Sequence, residues 1–400
     1  MDDLPDITPQ PPQQLPARPR SGVSQDIRVP IDGNGAIVVN WFYPTGYHNT
    51  NTRNFKIGQS AIHMLVSARV GNVEKDVAVK KFRCALDNDI EAPRLLRELS
   101  LLPVIQHPNL VKAIDFFTPQ TTFTSFKDVY ITTEYAGSTL DKLRKGSVVP
   151  INKIRSIIHQ LLQALRYLHS RKIGHRDVIP SNIAIDQTGH VTLLNLHLAR
   201  RLRSEEEEEE RGQLDLSGYI YRYPYRAPEV AMAYWNDRSY DLQADIWAVG
   251  CVLGELMIGR QLFVKECPLR EQMALIGMPG GNLMNNVNGT VRERFTRHRQ
   301  VARKRNVAFA TKLSLMAEGQ PRVIDIEAAR LLSEILDFDP DGRPTAQEAL
   351  DFQCFRHPGL WTVRGTGEGV EIEDGEPAGH WKHHVWNRIM AFRPAPGTPQ

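Results

Sequence analysis

The sequence is short of cysteine, of long apolar runs and of excess charge. Its four cysteines, Cys84, Cys251, Cys267 and Cys354, form no CxxC pair. That argues against a structural zinc site or a disulfide framework and suits a reducing compartment. No run approaches the ~18 apolar residues of a membrane-spanning helix, so no membrane partner is expected. A net charge of +3 is too small to make nucleic acid or an acidic membrane the main partner. The first residues are acidic and proline-rich rather than basic and apolar, unlike a secretory leader. The cytoplasm and nucleus are the expected location by default.

What is present is a soluble globular composition, 41% apolar and 24% charged over 400 residues, enough for one large core or two smaller ones. Residues 1–26, rich in Pro and Gln, have little to bury and read as a disordered tail. From 27 to 137, β-branched and aromatic runs alternate with turn residues (AIVVNWFY, HMLVSARV, DVAVKKF, LVKAIDFF, DVYITTEY), a pattern of strands. One helix interrupts them, with Leu95, Leu99 and Leu102 on a single stripe of residues 91–105. From 138 to 357 the dominant signal is long apolar-periodic helices, over 152–170 and 241–258, and residues 358–400 form an extension. The fold class is therefore α+β, a small β-rich part before a larger helical one. A run of six glutamates, Glu205–Glu210, stays solvated by mutual repulsion. The basic stretch 292–305 reads as either a solvated surface segment or a nucleic-acid or nuclear-import segment, the former favoured.

The sharpest motif is His175-Arg176-Asp177-Val178-Ile179-Pro180-Ser181-Asn182, after a long helix and before two strand-like runs. Phosphoryl transfer needs a carboxylate beside the substrate hydroxyl (Asp177) and a metal ligand a fixed distance on (Asn182). The segment Val77-Ala78-Val79-Lys80 precedes a helix bearing Glu98. Ala227-Pro228-Glu229, Asp245 and Arg343 follow in order. This ordered series resembles a eukaryotic protein kinase, with its bilobal fold. Ser217-Gly218-Tyr219, eight residues before Ala227, is similar to the TGY lip of stress-activated MAP kinases. Phe126–Tyr130 and the terminal HWKHHVWNRIMAF are similar to that branch too.

The resemblance implies ATP and Mg²⁺ as cofactors. Lys80, paired with Glu98, would hold the α/β-phosphates, and Asp177 would be the catalytic base. Ile57, Gly58, Leu65, Ala78, Thr133, Glu134, Ala136, Asn182 and Ile185 would line the nucleotide site, with Thr133 as gatekeeper. Asn182 and Asn195 would stand at the metal. Ser217 and Tyr219 would be the phosphorylated lip, gripped by Arg97, Arg176 and Arg200. Implied partners are an upstream dual-specificity MAP kinase kinase and protein substrates or scaffolded partners at a docking groove. The acidic patch Glu371, Glu373, Asp374 and Glu376 would sit near that groove; direct nucleic-acid binding is not expected.

The sequence departs from the family at three phosphate- or metal-facing points. The DFG motif reads Asn195-Leu196-His197, which keeps an oxygen and loses a negative charge that a hard dication prefers. His197 replaces a glycine, which implies a stiffer loop. Ile179 replaces the catalytic-loop lysine. The glycine-rich loop reads Gly58-Gln59-Ser60-Ala61-Ile62-His63, with its first glycine alone retained. Arg222, Tyr223 and Pro224 also depart from the pattern behind Pro-directed specificity. These losses imply a pseudokinase; the retained Lys80, Glu98, Asp177 and Asn182 leave an active Ser/Thr kinase as the alternative.

Overall fold

Alternating β-branched and aromatic residues cannot bury one face as isolated hairpins, so the first third of the chain assembles into sheet. The computed structural model describes residues 22–31, 35–44, 47–48, 55–57, 61–70, 73–82, 86, 91–143, 149–201, 223–231, 242–263, 324–356 and 381–392. Contacts divide the chain into two units: Met1–Leu99, Ala113–Tyr135 and Pro377–Gln400 in one, Ser100–Lys112 and Ala136–Glu376 in the other.

In the first unit, β1 (Gly22–Ile31) and β2 (Gly35–Pro44) form an antiparallel pair. Strand β1 begins within the stretch expected to be tail, because Gly22–Asp26 pair with Asn40–Pro44. Strands β3 (Tyr47–His48), β4 (Phe55–Ile57), β5 (Ala61–Val70), β6 (Val73–Phe82), β7 (Ala113–Phe117) and β8 (Val129–Glu134) make one sheet, ordered β3-β5-β6-β8-β7, with β4 also on β5. Its core is aromatic. Tyr130 stacks on Phe117 at 4.8 Å and meets Trp41 edge-on at 5.5 Å. Its buried hydroxyl accepts a hydrogen bond from the Phe42 amide at 3.2 Å, so the ring's polar end is satisfied. Helix α1 (Glu91–Leu101) buries Leu95 and Leu99. The terminal helix Trp381–Ala391 lies against the same unit: Trp386 meets Phe126 at 5.0 Å, and Phe392 stacks on Phe116 at 4.0 Å.

The run LVKAIDFF, expected as one strand, is divided. Leu110 makes a parallel bridge with Leu193 in the second unit, while Ala113–Phe117 pair with β8 through a register shift at Ala113/Asp115. Local propensity is the same on both sides of that break; only the pairing partner differs.

The second unit is built on helices. After a short strand β9 (Ser138–Thr139) and helix α2 (Leu140–Leu143) comes α3 (Ile151–His169). Strands β10 (Ile173–Gly174), β11 (Ile183–Ile185), β12 (Val191–Leu193) and β13 (Arg200–Arg201) then support the chemistry-bearing loops. Helix α4 (Gln243–Ile258) is buried from Ala244 to Ile258, as a helix apolar on all sides should be. Gly250 allows close approach there: a Cβ would lie 2.5 Å from Ile335 on α5 (Ile326–Ile335). Helix α6 (Ala346–Leu350) starts with a capping box, the Thr345 hydroxyl accepting from the Glu348 amide and the Glu348 carboxylate from the Thr345 amide. Thr345→Ala should cost about 0.5–2 kcal/mol and lower the Tm by a few degrees in a thermal scan.

Candidate active site

Within the second unit, one buried carboxylate sets the shape of the loop 175–182. Asp245 is fully buried. It accepts the backbone amides of His175 (2.7 Å) and Arg176 (2.8 Å) and meets His169 Nε2 at 3.0 Å. Burial pushes its carboxyl upward, but the bond and charge of His169, then His175 and the Arg176 amide, outweigh that and hold it below the usual range. The bonds also support Arg176 in the left-handed region, at φ 67°. The sequence reading missed His169; its signal was a histidine ending the long helix before the HRD motif.

His175 joins this loop to the DFG-like segment. Its Nδ1 accepts the Asp177 amide at 3.3 Å, so its Nε2 carries the hydrogen that donates to the Leu194 carbonyl at 3.0 Å. Burial lowers its affinity for a second proton, against the charges of Asp245 and Asp177, which keeps the imidazole neutral. The Leu194 amide in turn donates to the Asn182 carbonyl at 2.8 Å.

These bonds bring three of the expected residues together. Asn182 Nδ2 donates to Asp177 Oδ2 at 2.6 Å and to the Asp177 carbonyl at 2.9 Å. Asn195 Nδ2 donates to Asn182 Oδ1 at 3.4 Å, and His197 Nδ1 lies 2.6 Å from Asn195 Oδ1. Ile179 is 2% exposed, so its side chain is packed inside. Leu196 is fully buried, filling an apolar position. The unusual backbone angle falls on Asn195, at φ 70°, and His197 is not among the positive-φ residues. The stiffer loop expected from His197 thus keeps its left-handed residue at Asn195, one of the side chains that visits that region most readily. Gly137, at φ 95°, lets the chain after Ala136 pass over the Ile185 carbonyl, where Ser138 pairs with Ile185.

The first unit holds the other group. Lys80 Nζ is 2.7 Å from Glu98 Oε2, and Glu98 is 4% exposed. A carboxylate this buried needs its ammonium partner. The sheet register sets Leu65 opposite Ala78, Ala78 opposite Thr133, and His63 opposite Lys80. Ile57 pairs with Ile62, which pairs with Lys81. Glu134 is exposed at the end of β8.

Arg97 is half-buried on α1, Arg176 is buried, and Arg200 pairs through its backbone with Gly174, two residues before Arg176. Gly58, Ser217, Tyr219, the Glu205–Glu210 run, Arg222, the basic stretch and the acidic patch lie outside the described residues. Among the described residues, no cluster of three or more His, Cys, Asp or Glu could hold a metal ion. The Asp177–Asn182–Asn195 set likewise offers one carboxylate and two carboxamides already bonded to each other or to a neighbour. That donor set does not fit Mg²⁺, which prefers carboxylates in near-octahedral geometry.

A paired lysine and glutamate on a sheet and helix, with an HRD loop held from below by a buried aspartate, defines the protein-kinase class. Comparison with known proteins agrees. Residues 52–355 match the protein kinase domain. The chain is 30% identical over 359 residues, 88% of each chain, to mitogen-activated protein kinase pmk-1 of Caenorhabditis elegans. It is 29% identical to mitogen-activated protein kinase 12 of Danio rerio, over 90% of this chain and 93% of the relative. It is 28% identical to mitogen-activated protein kinase p38b of Drosophila melanogaster, over 88% and 92%. The chain belongs to the mitogen-activated protein kinase family of protein kinases.

Proposed function

We propose that this chain is a pseudokinase of the MAP-kinase family, one that binds adenine nucleotide and engages signalling partners without efficient phosphoryl transfer. The observation that carries the reading is the Asn182–Asn195 contact, where the family places a metal between an asparagine and an aspartate. Ile179, packed inside, supports it, because no cation reaches the transferred phosphoryl group from that position. Losing one preorganised charge of this kind costs roughly 10²–10³-fold in rate. Lys80, held by Glu98, and the Ala78–Thr133 face support retained nucleotide binding. Its partners are an upstream dual-specificity kinase and the protein substrates or scaffolds of a stress pathway, met in the cytoplasm and nucleus.

The 2.7 Å Lys80–Glu98 pair favours a second reading, an active Ser/Thr kinase switched on at Ser217 and Tyr219. A radiolabel-transfer assay on a generic basic protein, with Mg²⁺ or Mn²⁺ and after treatment with an upstream kinase, separates the two. Background signal equal to that of Asp177→Ala is expected. A robust signal that Asp177→Ala abolishes would sink the pseudokinase reading.

A further inference from the structure

The hydrogen bonds around Asn195 have a direction, and Asp177 sets it. An ionised carboxylate only accepts, so Asn182 must turn its Nδ2 toward Asp177 Oδ2, as it does at 2.6 Å. Asn182 Oδ1 then faces Asn195 and needs a donor, which Asn195 Nδ2 supplies. Asn195 Oδ1 is thereby turned toward His197 and needs a donor in its turn, which is the Nδ1–H of His197 at 2.6 Å. Each amide orientation follows from the one before it. With an aspartate at 195, two acceptors would face each other across the same gap, a place that a cation or a bridging water would have to fill. Here an amide hydrogen occupies that place. The left-handed backbone at Asn195, φ 70°, is one that asparagine tolerates well, so the arrangement carries little strain.

We infer that the hydrogen-bonded series Asp177–Asn182–Asn195–His197 replaces the divalent cation, so that this protein binds adenine nucleotide without one, and that His197 is the positioning residue that keeps Asn195 turned the right way. The inference rests on the nucleotide-binding reading above. To offer its oxygen toward Asn182 and an incoming cation, the Asn195 amide must flip and present Nδ2 to His197 Nδ1, which can accept it only by moving the imidazole hydrogen to Nε2. His197 therefore favours the cation-free orientation of Asn195 by the cost of that tautomer change.

The test is calorimetric titration of the full chain with ADP and with a non-hydrolysable ATP analogue, in EDTA, in Mg²⁺ and in Mn²⁺. Wild type should bind with the same affinity in all three, within about twofold. Asn195→Asp should bind weakly in EDTA and recover about 10–100-fold with Mn²⁺, the scale seen when a metal's ligand environment changes. His197→Ala should acquire a cation preference in the same direction. His197→Asn, whose Nδ2 can donate from nearly the same place, should restore the wild-type indifference. A His197 that merely scaffolds the loop would change the Tm of His197→Ala while leaving the EDTA-to-Mn²⁺ affinity ratio at unity, and that result would overturn its positioning role. Wild-type binding that requires Mg²⁺ or Mn²⁺ would overturn the inference and leave nucleotide binding standing. No binding in any buffer would remove the nucleotide-binding reading itself, and the inference with it.

Discussion

Arg343→Met is expected to destabilise the helical unit by about 3–5 kcal/mol, the range for removing one partner of a buried ion pair. Arg343 is 3% exposed, and its guanidinium holds Glu229 through two bonds, at 2.6 and 2.7 Å. It also donates to the carbonyls of Asp337 (2.7 Å) and Gln243 (3.1 Å) and lies 5.0 Å from the centre of the Trp247 ring. Methionine matches much of its volume but none of its donors, so a carboxylate and the carbonyls of Asp337, Gln243 and Phe338 lose a partner together. For a unit of this size the Tm should fall by roughly 6–20 °C. The double variant Arg343→Met, Glu229→Gln should recover part of that loss, because the unpaired carboxylate is gone while the carbonyls still lack a donor. Thermal unfolding by circular dichroism checks both; equal losses in single and double variants would mean that the carboxylate is not the main source of the cost.

The second large effect is a gain. Asn195→Asp with Ile179→Lys should raise Asp177-dependent phosphoryl transfer by roughly 10²-fold or more over wild type, since each charge contributes to the transition state independently. The architecture needed for it is in place. Asp177 is fixed by Asn182 at 2.6 Å, and the Lys80–Glu98 pair is formed. Ile179 has extended backbone, φ −141° and ψ 157°, and its carbonyl accepts the Asn182 amide at 2.9 Å, so the loop's shape does not depend on that side chain. A lysine there can keep its stem inside and send the ammonium outward. Neither single variant should reach the double variant's rate in a steady-state assay with Mg²⁺. A double variant still at the Asp177→Ala background would mean that the defect lies elsewhere, with the glycine-poor stretch Gly58–His63 the next suspect.

Ordered motifs carried most of the fold. Lys80, Glu98, Asp177, Asn182, Glu229, Asp245 and Arg343 are readable because phosphoryl transfer and its scaffold demand particular residue types in a particular order. Long helices were legible from periodicity to within two residues: 152–170 against Ile151–His169, and 241–258 against Gln243–Ile258. Strand pairing was not. Nothing local distinguishes Leu110, which bridges to Leu193, from Phe116, which pairs with Ile131, because a strand's partner is a non-local choice.

By itself, then, the sequence determined the kinase class, the MAP-kinase branch and the charges missing at Asn195 and Ile179, since residue identity alone specifies charge. Tertiary structure decided how Asn195 is bonded. Asp177 orients Asn182, Asn182 orients Asn195, and His197 completes the series. It also decided that His169 supports Asp245. The physical reason is the same in each case. Hydrogen-bond direction and sheet register are relations between residues far apart in the chain, and they exist only once the backbone has brought those residues together.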